Sequence, residues 1–179
     1  MGRLANMVHI LIPKRGVNGR PFISTLGVPH WGGILIQLVR KEGIELYNYS
    51  MARMYFVGET LWFDIKGSAE DAKCNPDTVD CGMFPVIELG VQAPGNDISK
   101  LAGTEFFHKG IENDEDDSCD ALIYYFEHEP IINATIKISE SQYQDKYKVI
   151  MSFMTNDIVD WELGPMRVNI DALFEITTN

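Results

Sequence analysis

Apolar residues that alternate with polar ones are the feature that most constrains the fold of this chain. In residues 60–66, Leu61, Phe63 and Ile65 fall on one side of an extended segment, and Thr60, Asp64 and Lys66 fall on the other with Trp62. A period of two is typical of a strand that buries one face. The segment therefore predicts a half-buried strand whose apolar face contributes to the core.

The same alternation recurs on both sides of turn-forming residues. Residues 33–50 hold two β-rich runs around Lys41-Glu42-Gly43, and residues 53–67 hold two around Gly58-Glu59, which predicts two hairpins or one meander. Residues 131–177 carry further strand candidates with short joints, which predicts a consecutive antiparallel meander. These candidates are Ile131–Ser139, Lys146–Thr155, Ile158–Leu163 and Met166–Thr177.

One central segment has the signals of a helix instead. In residues 97–110, Asp97 is a candidate N-cap and Gly110 a candidate stop. With 45% hydrophobic residues, the chain has enough apolar material for one core. We therefore predict a single α+β domain over residues 1–179, dominated by antiparallel β-sheet in hairpins or a meander, with one or two helices and long acidic central loops.

The formal net charge of −11 is distributed unevenly along the chain. Residues 1–66 carry a net charge of +4, residues 67–130 carry −12 and residues 131–179 carry −3. Such an acidic middle third repels nucleic acid and anionic membranes, and it attracts basic proteins by long-range steering. We therefore expect a basic protein partner and no direct binding to nucleic acid.

Compartment is inferred from what the sequence lacks. No uncharged apolar run approaches the roughly 20 residues of a membrane span, and the first residues lack a convincing signal-peptide pattern. Three cysteines are an odd number and too few for a disulfide scaffold. We expect a cytoplasmic protein with no membrane association.

The acidity peaks in a run of six carboxylates within nine residues, Glu112 to Asp120. Counted from Asp116, this run places several oxygen ligands at the spacing of a calcium loop, ending at Glu127. However, Ala121 stands where that loop needs glycine, and the residues that follow have a strand pattern instead of a helical one. We therefore expect no metal and no cofactor.

Catalytic signatures are also missing from this region. Carboxylates around Cys119 disfavour its thiolate, which predicts an inert thiol. His128 lies between Glu127 and Glu129, but alternation along a strand places the two glutamates on one side and the histidine on the other. The chain has neither a phosphate-binding glycine pattern nor a Gly-x-Ser-x-Gly elbow. We therefore expect a protein that is not an enzyme.

Three classes of function remain open. The first is an acidic protein-binding module, an immunity protein or antitoxin-type inhibitor that neutralises a basic partner such as a nuclease toxin. The second is a β-rich small-ligand-binding or structural module, with Trp31, Trp62 and Trp161 lining a cleft. The third is a hydrolase whose residues converge only in the fold. Its candidates are Asp64, Glu88, His108 and His128.

The first class is the prediction that we carry forward. Carboxylates this dense face water, a cation or a partner, because an unpaired charge in a core is costly. Alternation also places Tyr125 and Ile123 on the side of the two glutamates, as an apolar centre within a charged rim. The predicted partner-binding residues are Asp114, Glu115, Asp116, Asp117, Asp120, Tyr125, Glu127 and Glu129.

Overall fold

The protein is built almost entirely from β-strands. The computed structural model describes residues 35–41, 43–71, 83–110, 121–125, 127–156 and 164–177. Strands make up 71% of these residues, and they form one curled, half-barrel sheet. All the described residues belong to the unit Gly32–Asn179, so a single domain over residues 1–179 stays a prediction.

Eleven strands occur within the described residues. They are β1 (Leu35–Arg40), β2 (Gly43–Tyr47), β3 (Tyr49–Val57), β4 (Thr60–Gly67), β5 (Val86–Gln92), β6 (Glu105–His108), β7 (Ala121–Tyr125), β8 (Glu127–Pro130), β9 (Ile132–Glu140), β10 (Lys146–Asn156) and β11 (Pro165–Ile176).

The strands join into one sheet that forks at β11. The main path runs β6-β9-β10-β11-β3-β4-β5-β7-β8, and β1 and β2 branch from it. One edge of β11 pairs with β10 over almost its whole length, from Pro165 to Glu175. The other edge is shared, because β1 pairs antiparallel with its first half and β3 pairs parallel with Glu175 and Ile176.

The hairpins expected from the sequence are confirmed. Strands β1 and β2 pair antiparallel across the predicted turn, with Arg40 opposite Gly43. Strands β3 and β4 do the same, with Val57 opposite Thr60 across a two-residue turn. Gly58 has a φ of 62° in that turn, a left-handed conformation that glycine adopts at little cost.

The C-terminal meander is confirmed for its described strands. Strands β9, β10 and β11 follow one another in the chain and pair antiparallel in the sheet. The predicted strand Ile158–Leu163 lies outside the described residues.

The expectation of one or two helices is wrong for the described residues, which contain only short 3-10 turns. Asp97 does cap one such turn, since its carboxylate accepts a hydrogen bond from the Ser99 amide at 3.1 Å. The turn ends quickly, because Gly103 adopts a φ of 82°. The chain then enters β6, where Phe106 and Phe107 point to opposite faces and pairing with β9 outweighs helix propensity.

The core fills the concave side of the sheet. Leu61, Phe63 and Ile65 are fully buried, which confirms the face predicted from their alternation. Phe63 packs edge-on against Phe174 of β11, with ring centroids 5.7 Å apart. The other large, fully buried side chains include Tyr47, Phe153, Ile36, Leu38, Met54, Ile87, Leu89 and Ile123.

Gly90 is a point of close packing on the other face. It pairs with Trp62 across β4 and β5, and a Cβ atom at this position would lie 3.2 Å from Cε2 of the indole. Thr60 Cγ2 would lie 3.1 Å away. The glycine therefore leaves the space in which the Trp62 ring lies on the sheet.

We predict that Gly90→Ala destabilises the protein by about 1–2 kcal/mol, because the added methyl group crowds Trp62 and Thr60. The gain of about 0.4–1 kcal/mol from a less flexible unfolded chain offsets part of this loss. Urea denaturation of the wild type and the variant measures the difference.

The matched control introduces the same methyl group in a Trp62→Leu background, where the crowding by the indole ring is removed and only that by Thr60 remains. An equal loss in both backgrounds would contradict the role given to the indole ring.

Candidate functional site

The acidic segment is anchored at both ends to the same piece of backbone. Residues 111–120 connect β6 to β7 and lie outside the described residues, but the residues on either side are described. The Asn133 amide donates to the carbonyl of Lys109 at 3.0 Å, and the Ile131 amide donates to the carbonyl of Ala121 at 3.0 Å. The chain therefore leaves and re-enters the sheet beside the junction of β8 and β9.

Two local backbone conformations allow the residues at the ends of the acidic segment to bond to Ile131 and Asn133. Gly110 has a φ of 98°, and a Cβ atom there would lie 3.0 Å from the carbonyl oxygen of Ile131. Asn133 has a φ of 54°, a left-handed conformation that asparagine tolerates better than most residues. Glycine at position 110 thus allows the two backbone segments to approach closely.

The structure describes three of the eight predicted partner-binding residues, which are Tyr125, Glu127 and Glu129. Asp114, Glu115, Asp116, Asp117 and Asp120 lie outside the described residues. In the antiparallel pairing of β7 with β8, Glu127 lies opposite Tyr125. The sequence had suggested one continuous strand here.

Tyr125 and Glu129 differ from expectation in the side of the sheet that they face. They share a face with Ile123, as alternation predicted, but this face is the interior one. Glu129 is only 5% exposed, and its Oε2 accepts a hydrogen bond from Nδ2 of Asn156 at 2.7 Å. Both side chains therefore support the fold beside the acidic segment instead of forming its outer surface.

Tyr125 belongs to a polar cluster inside the sheet, together with Arg40, Glu45 and Tyr47. The Tyr47 and Tyr125 hydroxyls are hydrogen-bonded to each other, and they lie 2.7 and 3.1 Å from Oε2 of Glu45. Nη1 of Arg40 lies 3.0 Å from Oε1 of the same carboxylate. We call these four residues the tyrosine clasp, because they connect β1 and β2 to β7 across the concave side.

The titration of the clasp follows from its burial. Burial raises the pKa of Tyr47 and raises that of Tyr125 to about 12, and the Glu45 carboxylate adds to both shifts. Burial alone would raise the pKa of Glu45, but hydrogen bonds from Tyr47 and Arg40 outweigh it and leave that pKa lowered. At neutral pH the cluster therefore holds two neutral phenols around one ionised, salt-bridged carboxylate.

Sequence reasoning missed three of the four clasp residues. Arg40 and Glu45 have opposite charge and flank a tight turn, and that signal could have predicted their ion pair. Nothing in the sequence pointed to contact between Tyr47 and Tyr125, since the two residues are 78 positions apart.

The candidates for a hydrolytic site are only partly brought together. Asp64 lies opposite Glu88 in the sheet, but Arg53 holds the Asp64 carboxylate at 2.7 Å through Nε. His108 lies on β6, and His128 of β8 packs edge-on against Tyr124 of β7, with ring centroids 4.1 Å apart. Among the described residues, no group of three or more His, Cys, Asp or Glu side chains could hold a metal ion.

The candidates for an aromatic cleft are described only in part. Trp31 and Trp161 lie outside the described residues. The Trp62 ring lies against Gly90 on the sheet. Within the described part of the chain, no helix reaches the length and apolarity of a membrane span.

Comparison with known proteins finds no family model that matches the sequence, and no similar curated protein or solved structure.

We predict that the tyrosine clasp makes the fold sensitive to alkaline pH. The pKa of Tyr125 is raised from 10.0 to about 12, so the folded state keeps a proton that the unfolded state loses first. The stabilisation is complete below about pH 10 and is lost as the pH rises through the folded pKa. The measurement is the free energy of unfolding between about pH 8 and about pH 11.

Tyr125→Phe should lower stability at neutral pH by about 1–2 kcal/mol, because Glu45 and Tyr47 lose a hydrogen-bond partner. The substitution should also make the free energy of unfolding fall less steeply at alkaline pH. Tyr143→Phe is the matched control, since Tyr143 is 52% exposed, and its pH profile should follow the wild type. A Tyr125→Phe profile parallel to the wild type would refute the coupling.

Proposed function

We propose that this protein is an acidic protein-binding module that neutralises a basic protein, in the manner of an inhibitor of a nuclease toxin. The recognition surface is the acidic segment, residues 111–120, with its carboxylates at Asp114, Glu115, Asp116, Asp117 and Asp120. Glu127, predicted with them, lies on the adjoining strand β8.

The observation that carries the proposal is the fixed base of the acidic segment. Backbone hydrogen bonds to Ile131 and Asn133 hold the residues just outside both of its ends. A recognition segment on a rigid base loses less conformational entropy on binding than one whose ends are free. The buried side chains of Tyr125 and Glu129 add rigidity to the sheet beside it.

The charge balance of the described residues supports the same function. Several basic side chains already neutralise described carboxylates, as in Lys100 with Asp97 at 3.0 Å and Lys137 with Glu105 at 3.3 Å. Six of the fifteen carboxylates of residues 67–130 lie in the ten residues of the acidic segment, which contain no Lys or Arg. Further ion pairs among the described residues are Arg40–Glu45, Arg53–Asp64, Lys146–Glu175 and Lys148–Asp171.

The dense packing of the concave side favours a function of the protein surface and argues against a small-ligand cavity. Large side chains fill this side of the described sheet, and Tyr47, Phe63 and Phe174 are fully buried there. A ligand-binding barrel of similar size needs a lumen lined by partly exposed side chains.

A basic nuclease holds phosphates with Lys and Arg, so an inhibitor gains by presenting carboxylates to the same residues. The fields of exposed charges act mainly on the association rate, and screening limits their reach to about 8–10 Å at physiological salt. Binding should therefore be fast at low salt and slower as salt is added.

We predict that Asp116→Lys with Asp117→Lys slows association with the basic partner at least about tenfold at low salt. The partner is first captured from the native host on the immobilised protein at low salt, eluted by a salt gradient and tested for inhibition of nuclease activity. Stopped-flow or surface-based kinetics with the purified partner then measure the rate across a salt series.

The matched control is Glu59→Lys with Glu140→Lys, which changes the net charge by the same amount at exposed positions on other turns and strand ends. This control should slow association much less than the double substitution in the acidic segment. Equal effects of the two variants would show that only total charge matters, and an unchanged rate for the first would leave the segment without a role in recognition.

A further inference from the structure

Two phenol rings meet inside the tyrosine clasp. Tyr47 of β2 and Tyr125 of β7 are 0% and 3% exposed, and their ring centroids lie 5.8 Å apart with the ring planes at 74°. Their hydroxyls are hydrogen-bonded to each other, although the two residues are 78 positions apart in the chain. The fold therefore keeps the ortho carbons, which flank each hydroxyl, close to those of the other ring.

An acceptor for the phenolic protons lies within hydrogen-bond reach of both rings. Oε2 of Glu45 lies 2.7 Å from the hydroxyl oxygen of Tyr47 and 3.1 Å from that of Tyr125. A buried phenol that loses an electron carries a positive charge, which is costly unless the ring also loses its proton. The existing hydrogen bonds to Glu45 give that proton a direct path.

The Glu45 carboxylate can also pass a proton on to water. Its side chain is 26% exposed, whereas the two phenol rings are buried. Burial raises the pKa of Glu45, but hydrogen bonds from Tyr47 and Arg40 outweigh burial and leave that pKa lowered. A proton received by Glu45 is therefore released at neutral pH, and the carboxylate is ready to accept a second one.

We propose that Tyr47 and Tyr125 are a site of oxidative coupling, at which a one-electron oxidant, such as a peroxidase-type haem or a photo-excited metal complex, joins the two rings by a carbon–carbon bond. Each ring gives one electron to the oxidant and its hydroxyl proton to Glu45, and the two phenoxyl radicals join between ortho carbons. The hydrogen on each joined carbon then moves to the oxygen of its own ring, which restores both phenols. One dityrosine link thus releases two electrons to the oxidant and two protons through Glu45 to water. This inference does not depend on the proposed function, because the acidic segment takes no part in it.

The observed arrangement of the rings resembles that of the coupled product. In a dityrosine the hydroxyls lie beside the new bond and can hydrogen-bond to each other, and the rings are twisted because their ortho substituents crowd one another. Tyr47 and Tyr125 already have bonded hydroxyls and ring planes at 74°. The rings need only approach from their centroid separation of 5.8 Å for the bond to form.

Photo-oxidation tests the proposal. The purified protein is illuminated at low concentration with tris(bipyridine)ruthenium(II) and persulfate, which together remove single electrons. We expect a monomeric product with dityrosine fluorescence, and a cross-linked pair of proteolytic peptides that contains Tyr47 and Tyr125 and has lost two hydrogen atoms. Tyr125→Phe should abolish this peptide pair. Tyr143→Phe is the matched control, since Tyr143 is 52% exposed and its loss should leave the internal link unchanged.

Glu45→Gln tests the proton acceptor separately. Glutamine keeps the size of the side chain but is a far weaker base, so the initial rate of coupling should fall at least about tenfold. Circular dichroism confirms that each variant is folded. The wild type unfolded in urea is a reference that needs no substitution, and in it the link between Tyr47 and Tyr125 should be no more abundant than other tyrosine pairs. Failure of the folded wild type to form the link, a link no more abundant than in urea, or an unchanged rate in folded Glu45→Gln would each overturn the proposal.

Discussion

The two-sided hydrogen bonding of β11 is the constraint on which the rest of the sheet depends. One edge of this strand is used by β10, and the other is divided between β1 and β3. Its inner residues Met166, Val168, Ile170, Ala172 and Phe174 are almost fully buried, so the strand also runs through the centre of the core. The N-terminal hairpins and the C-terminal meander therefore share one backbone, and the curl of the sheet positions β7 across from β2.

Local pattern explains how far the sequence could predict this fold. Leu61, Phe63 and Ile65 have the period of a strand, and neighbouring turn residues fixed both hairpins because their pairing spans few positions. The helix predicted after Asp97 is wrong, although Asp97 does cap a turn as its sequence signal indicated. Gly103 and the pairing of β6 with β9 end the structure after that single turn. The fork at β11 pairs residues more than 100 positions apart, and no local sequence pattern predicts such a pairing.

The candidate site was predictable in composition but not in placement. The density of carboxylates at residues 112–120 is visible in the sequence, and so is the alternation that groups Tyr125 with Glu129. Which side of the sheet that group faces depends on the curl, since the same alternation serves an inner or an outer face. The backbone contacts of Gly110 and Ala121 with Ile131 and Ile132 arise only when β8 and β9 are in place, so the anchoring of the segment is a tertiary property.

The fork at β11 has a consequence for the order in which the chain can fold during synthesis. Strands β1 and β3 emerge from the ribosome before β11, which joins both of them to β10 and is the last of the described strands. Until β11 arrives, the apolar faces of Ile36, Leu38 and Met54 lack the strand that completes their packing. Pairings of such long sequence separation form slowly, because closing the intervening loop costs entropy before contacts compensate for it. A nascent chain therefore exposes an apolar half-sheet until β11 has been synthesised, and its yield in the cell depends on protection during that interval.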